Sequence, residues 1–81
     1  MPQKLPQVSR KDVVKLLERM GYISVRQRGS HVHLRKVLET GAHNVTVPLH
    51  KTIAKGTLND ILSKVGLRND IPKGDLIDRL K

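Results

Sequence analysis

The chain has 81 residues, enough for one small core, and a formal charge of +9 from 16 Lys and Arg against 7 Asp and Glu. It contains no cysteine, which excludes disulfides and thiolate metal sites, and Tyr22 is its only Phe, Tyr or Trp, which argues against a stacking platform for bases. The positive excess predicts attraction to a polyanion, with nucleic acid first; no membrane partner is expected, and with no leader-like or long apolar run a cytoplasmic protein is expected.

A single domain over 1–81 is expected, with a core over about 5–66 and a C-terminal extension over 67–81. Pro2 and Pro6 make residues 1–7 an extended lead-in. Ser9 reads as an N-cap with Asp12 as its capping-box partner, and Val8 and Val13 stand at staple positions. Val13, Val14, Leu16, Leu17 and Met20 recur at helical spacing, with Arg10, Lys11, Lys15, Glu18 and Arg19 turned outward. A helix is therefore predicted over 10–20, closed by Gly21.

Strands are predicted over 22–28 and from 31 to 36 or 37, joined by a Gly29-Ser30 turn of type II′. Residues 39–43 read as the next turn and 44–49 as a third strand, with Pro48 suited to an edge strand or a strand end. After a basic loop over 51–56, Thr57 is expected to cap a second helix, with Asp60 at its capping-box position. Leu58, Ile61, Leu62 and Val65 form its apolar stripe, and Gly66 is its expected end. Pro72 opens a short third helix within 70–81, weakened by Gly74, with Leu76, Ile77 and Leu80 for burial. The class is α+β: an α-β-β-β-α order with an added C-terminal helix. The helices should cover one face of a three-stranded antiparallel sheet and leave the other open.

Strand alternation assigns the faces. Arg26, Arg28, His31, His33 and Arg35 share one side of the hairpin, and Ile23, Val25, Val32 and Leu34 share the other. Arg28 should lie opposite His31, Arg26 opposite His33 and Val25 opposite Leu34. An apolar match of Leu34 with Val47 and Val32 with Leu49 would bring His50 opposite His31.

His31 and His33 stand about 7 Å apart along a strand. With His50 they could bracket one phosphodiester, one imidazole accepting a proton while another donates it. Histidine suits that work because both of its forms are populated near neutrality. Arg26, Arg28 and Arg35 would hold the phosphate and stabilise the charge that develops on it. RNA supplies its own nucleophile in the 2′-hydroxyl, which DNA lacks. Lys51 and Lys55, beside the second helix N-terminus with Gly56 allowing close approach, would position further phosphates. Two blander readings stand beside this one: solvated histidines on a half-exposed sheet, and His-x-His chelation of a metal. No metal is expected, since no cysteine and no well-placed acid completes a ligand set and the facing arginines oppose a dication.

Several short segments occur in one order: Leu5-Pro6 leading into Ser9-x-x-Asp12-Val13, then Met20-Gly21-Tyr22, then Arg26-Gln27-Arg28-Gly29-Ser30-His31. Val45-Thr46-Val47-Pro48-x-His50 and Lys55-Gly56-Thr57-Leu58-x-x-Ile61-Leu62 follow. In this the chain resembles the HicA toxins of bacterial and archaeal toxin–antitoxin pairs over almost all of 5–66. The resemblance implies a double-stranded-RNA-binding-like fold, an endoribonuclease that cleaves mRNA and arrests growth, and a HicB-type antitoxin that covers the active site. It places the catalytic histidine of the Gly-Ser-His motif on His31 and a second recurrent histidine on His50, and Gly29 and Ser30 belong to that motif. The tail after Gly66, with Pro72 and Gly74, departs from the family's short ending. The leading expectation is a metal-independent endoribonuclease without a cofactor. The alternatives are a non-catalytic RNA-binding module, in which His31 is only a contact, and a small DNA-binding repressor subunit.

Overall fold

The computed structural model describes residues 5–80; the lead-in as far as Lys4, and Lys81, lie outside the described residues. Helix α1 (Arg10–Arg19) is followed by strands β1 (Ile23–Arg28), β2 (His31–Leu38) and β3 (Gly41–Pro48), then by helices α2 (Lys55–Asn69) and α3 (Lys73–Leu80). The strands form one antiparallel sheet in the order β1-β2-β3. This is the expected α+β arrangement with a C-terminal helix.

α1 begins where its capping residues require. The Ser9 hydroxyl accepts from the Asp12 N–H at 3.3 Å, and the Asp12 carboxylate accepts from the Ser9 N–H at 3.0 Å. These bonds hold the Asp12 carboxyl below its ordinary range. Val8 and Val13 are both buried, as a staple demands. At the other end Gly21, at φ +101, closes the helix, and Tyr22 donates its N–H to the Leu17 carbonyl at 3.0 Å.

β1 departs from simple alternation. A bulge at Val25 places Ser24, not Val25, opposite Leu34, and Ile23 opposite Arg35. The extra residue reverses the face of everything before it. Ile23 and Val25, expected in the core, are instead 68% and 57% exposed. The hairpin end is as expected: Arg28 pairs with His31 and Arg26 with His33, across a turn in which Gly29 alone has positive φ, at +58.

The second hairpin is tighter than expected. Only Glu39 and Thr40 form its turn, Leu38 pairs with Gly41, and both strands are longer for it. The register follows from that turn: Leu34 faces Val45, Val32 faces Val47, and His31 faces Pro48. The expected matches of Leu34 with Val47, Val32 with Leu49 and His31 with His50 are therefore wrong by two residues. A two-residue slip keeps every side chain on its face, so apolar matching cannot detect it. Pro48 ends an edge strand, where its missing N–H costs no ladder bond.

The inner face of the sheet presents Val32, Leu34, Val45 and Val47 to Leu16, Leu17, Leu58, Leu62, Val65, Leu76 and Ile77, all buried in one aliphatic cluster. α2 starts two residues before Thr57: Ala54 is the N-cap, without a side-chain bond, and Asp60 instead pairs with Lys64 at 3.0 Å. Nor does Gly66 end the helix. A Cβ there would stand 2.7 Å from the Ile71 carbonyl oxygen, so this glycine serves the close return of the chain, and Asp70 at φ 56 is the C-cap. Past Pro72, α3 buries Leu76 and Ile77, as predicted.

One polar chain runs from partly buried Lys36 and Asn69 to buried Tyr22 and His43 at the edge of the aliphatic cluster. His43, expected in a turn, lies in β3 with its side chain buried. Lys36 donates to Asn69 Oδ1 at 2.7 Å, and Asn69 Nδ2 donates to the Tyr22 hydroxyl at 2.9 Å and to the Val65 carbonyl at 2.8 Å. The hydroxyl also shares a hydrogen bond of 2.6 Å with His43 Nδ1. Burial, then the nearby Arg68 and Lys64, lower the pKa of His43, while burial raises that of Tyr22.

Two outcomes test this packing. Gly66→Ala should gain about 1 kcal/mol in helix propensity yet lose more to the backbone clash, for a net destabilisation on the order of 1 kcal/mol or more in urea unfolding. His43 favours its neutral form in the folded state, so its contribution is complete above an unfolded pKa of about 6.5 and is lost as pH falls through the lower folded value. The urea midpoint should therefore drop between about pH 7.5 and about pH 5.5, and most of that drop should vanish in His43→Gln.

Candidate nucleic-acid interface

The face of the sheet turned away from the helices is built in rows, because cross-strand partners share a side. One row is Arg28, His31 and Pro48; the next is Arg26, His33 and Thr46; the third is Ile23, Arg35 and Asn44. Neighbours within a row have Cα atoms about 4.5–5.5 Å apart. No strand contributes an acid, so the arginine charge on this face is unopposed by its own ladder. A phosphate set down on it would meet two guanidinium groups beside two imidazoles.

The two imidazoles are held differently. His33 is half-buried, and its Nδ1 lies 3.0 Å from the Thr46 hydroxyl oxygen, which fixes the ring and leaves Nε2 for another partner. His31 is exposed at the first position after the turn, and its Nδ1 lies 3.5 Å from the Ser30 hydroxyl oxygen, at the outer limit of a hydrogen bond. His31 is the freer ring, with its backbone held in the central strand.

The observed register brings together Arg26, Arg28, Gly29, Ser30, His31, His33 and Arg35, but it does not place His50 opposite His31. His50 is exposed in the link after β3, two residues past the Pro48 that occupies that position. Leu49 between them donates its N–H to the Ser30 carbonyl at 2.6 Å, so the link still passes the hairpin corner.

Lys51 and Lys55 are exposed, and Lys55 is the first residue of α2 rather than part of a loop. Lys51 joins Ser9, Arg10 and Lys11 around a basic cup of about 370 Å3. Periodicity reads Arg10 and Lys11 only as outward positions of a helix. Their company with Lys51 exists because the Ile53 N–H reaches the Val8 carbonyl at 2.9 Å, a contact with no sequence signature. Among the described residues no three metal-ligating side chains converge, and no helix is long and apolar enough to cross a membrane.

No curated protein and no solved structure matches the chain significantly. The family model of the HicA toxin of bacterial toxin–antitoxin pairs does match, over residues 10–67. That span runs from the first residue of α1 through all three strands and most of α2, and it holds the whole cationic face together with His31, His33 and His50. The chain belongs to the HicA toxin family.

Proposed function

We propose that the open face binds RNA and cleaves it, so that this toxin is an endoribonuclease acting on mRNA. The observation that carries the reading is the row in which the exposed His31 lies directly beside Arg28 on a face without acids. Arg28 and Arg26 hold the scissile phosphate, and their charge offsets what accumulates on its oxygens as the 2′-hydroxyl attacks. One imidazole takes the 2′-hydroxyl proton while another protonates the departing 5′-oxygen. The P–O5′ bond breaks and a 2′,3′-cyclic phosphate forms.

His31 is assigned the first of these roles. His33, one strand repeat away with Nε2 free, is the nearer second proton carrier, and His50 is the alternative beyond the corner. Arg35, Lys51 and Lys55, with the backbone at Gly29 and Ser30, hold flanking phosphates. No metal takes part in this route.

Family membership implies a cognate antitoxin. We assign it to the same face, with acids against the arginines and apolar groups over Ile23 and Val37, which are 68% and 75% exposed there. In a stable complex His31 should be shielded. A complex that leaves it open to bulk solvent would contradict this mode of inhibition.

His31→Ala should lower cleavage of a defined RNA by roughly two to four orders of magnitude while leaving RNA binding and folding nearly unchanged. Parallel His33→Ala and His50→Ala variants identify the second proton carrier by the larger loss. Activity should survive chelator, and the products should end in 2′,3′-cyclic phosphate or its hydrolysis product. Full cleavage by folded His31→Ala, or activity abolished by chelator and restored by a divalent metal, would sink the mechanism. RNA binding with no cleavage by the unaltered chain would leave the non-catalytic RNA-binding module. Because binding rests on several phosphate contacts, affinity should also fall steeply with salt, by roughly tenfold or more per few-fold rise. An affinity that is flat from low to physiological salt would count against this surface.

A further inference from the structure

Strand β1 has no buried residue, and a groove of about 330 Å3 runs between its inner side and α1. The floor is aliphatic, from Val14, Val32 and Leu49. Its β1 wall is polar: the bulge that turns Val25 out turns Ser24 inward opposite Leu34, and Gln27 stands opposite Val32. No hydrogen bond within the described protein occupies the Gln27 amide or the Ser24 hydroxyl. The opposite wall is charged, with Arg10, Lys11 and Lys15 against the single acid Glu18.

One end of the groove meets the proposed catalytic corner. Arg10 Nη1 lies 3.5 Å from the Leu49 carbonyl oxygen, and the Leu49 N–H donates to Ser30, the residue before His31. Leu49, which lines the groove, thus touches the hairpin tip one residue from His31.

We infer that this groove binds one nucleotide flanking the scissile phosphate and reads its base, an inference that rests on the RNA reading of the open face. The base lies on the Val14–Val32–Leu49 floor. The Gln27 amide, donor and acceptor at once, meets its hydrogen-bonding edge with Ser24 beside it, and Arg10 and Lys11 take the adjoining phosphate. The volume lies at the low end of ligand pockets, about 300–1,000 Å3, which suits a single nucleotide. The apolar floor supplies what the missing aromatics do not. An extended peptide pairing with the free edge of β1 is the competing occupant. Three cations against one acid on the rim favour the polyanion.

The test uses methyl NMR of the full chain carrying His31→Ala, titrated with the four 5′-mononucleotides and with short RNAs blocked by 2′-O-methyl groups. Saturable shifts at the Val14, Val32 and Leu49 methyls are expected, with affinity differing among the bases. Gln27→Ala, in a chain with His31 intact, should reduce the preference among product ends by on the order of tenfold. Gln27→Glu, which swaps an amide donor for a charge, should alter the preferred base, so the result does not depend on one variant. Lys11→Ala should weaken all nucleotides alike.

Groove methyls that stay still while outer-face signals move would overturn the inference. So would a base preference that both Gln27 variants retain, or shifts produced by an acidic peptide and by no nucleotide. Cleavage that depends on His31 with a silent groove leaves the ribonuclease reading standing without this one. Groove shifts ranked by base and dependent on Gln27, in a protein that cleaves nothing, leave this inference standing without catalysis.

Discussion

Strand β2 is hydrogen-bonded along both edges, and everything else in the molecule is arranged around the two directions left to its side chains. Val32 and Leu34 point into the aliphatic cluster, and His31, His33 and Arg35 point out of it. A one-residue slip of β2 against β3 would bury the cations and expose the core, so that ladder is locked in parity, whereas β1, which buries no residue, changes parity at the Val25 bulge. The energy for this comes from ordinary burial, about 1.5–3 kcal/mol for each Val, Leu or Ile taken from water. The cationic face is thus held mainly by contacts made on the other side of the sheet; on the face itself the His33–Thr46 bond fixes one ring, and the arginines stay free to meet a ligand.

The chain Lys36–Asn69–Tyr22–His43 is the exception at the edge of that aliphatic cluster. Each buried polar atom in it has a partner, and its members come from β2, from the end of α2, from the residue before β1 and from β3. Hydrogen bonds demand direction where aliphatic contacts do not, so this chain selects how the end of α2 sits against the sheet. It also explains why the buried histidine differs in kind from the other three. His43 is buried against the Tyr22 hydroxyl inside the fold, whereas His31 and His50 are exposed and His33 spends only one nitrogen on Thr46.

Two surfaces then meet at the Gly29–Ser30 tip. On the outer side, arginines and imidazoles recognise a phosphodiester, which every RNA offers at every position. Chemistry of that kind carries no sequence information by itself. On the inner side, the groove beside α1 offers an amide and a hydroxyl over an aliphatic floor. The bulge at Val25 connects the two: by moving two apolar side chains outward, it leaves polar ones facing α1, and the edge strand is lined rather than sealed. The same displacement puts Ile23 on the open face beside Arg35, giving that face the apolar ground a protein partner uses.

The element order, the α1 cap, the Gly29-Ser30 turn and the make-up of the cationic face were legible in the sequence because each rests on neighbours a few residues apart. Ser9 finds Asp12 and Arg28 finds His31 without help from the rest of the chain. HicA-like segments in order likewise pointed to the family. Three features were decided only by the tertiary structure. The β2–β3 register followed a two-residue turn rather than apolar matching, because a shift by two conserves parity and so leaves the pattern of side chains unchanged; His50 lost its place opposite His31 for that reason. The extent of α2 followed packing: Gly66, which reads as a stop, is an interior residue because the chain returns too closely for a Cβ. And Val25 and His43, one apolar and exposed, the other polar and buried, exchanged their expected places. A bulge and a hydrogen bond to a distant hydroxyl set those positions, and neither can be read from a residue's own hydropathy.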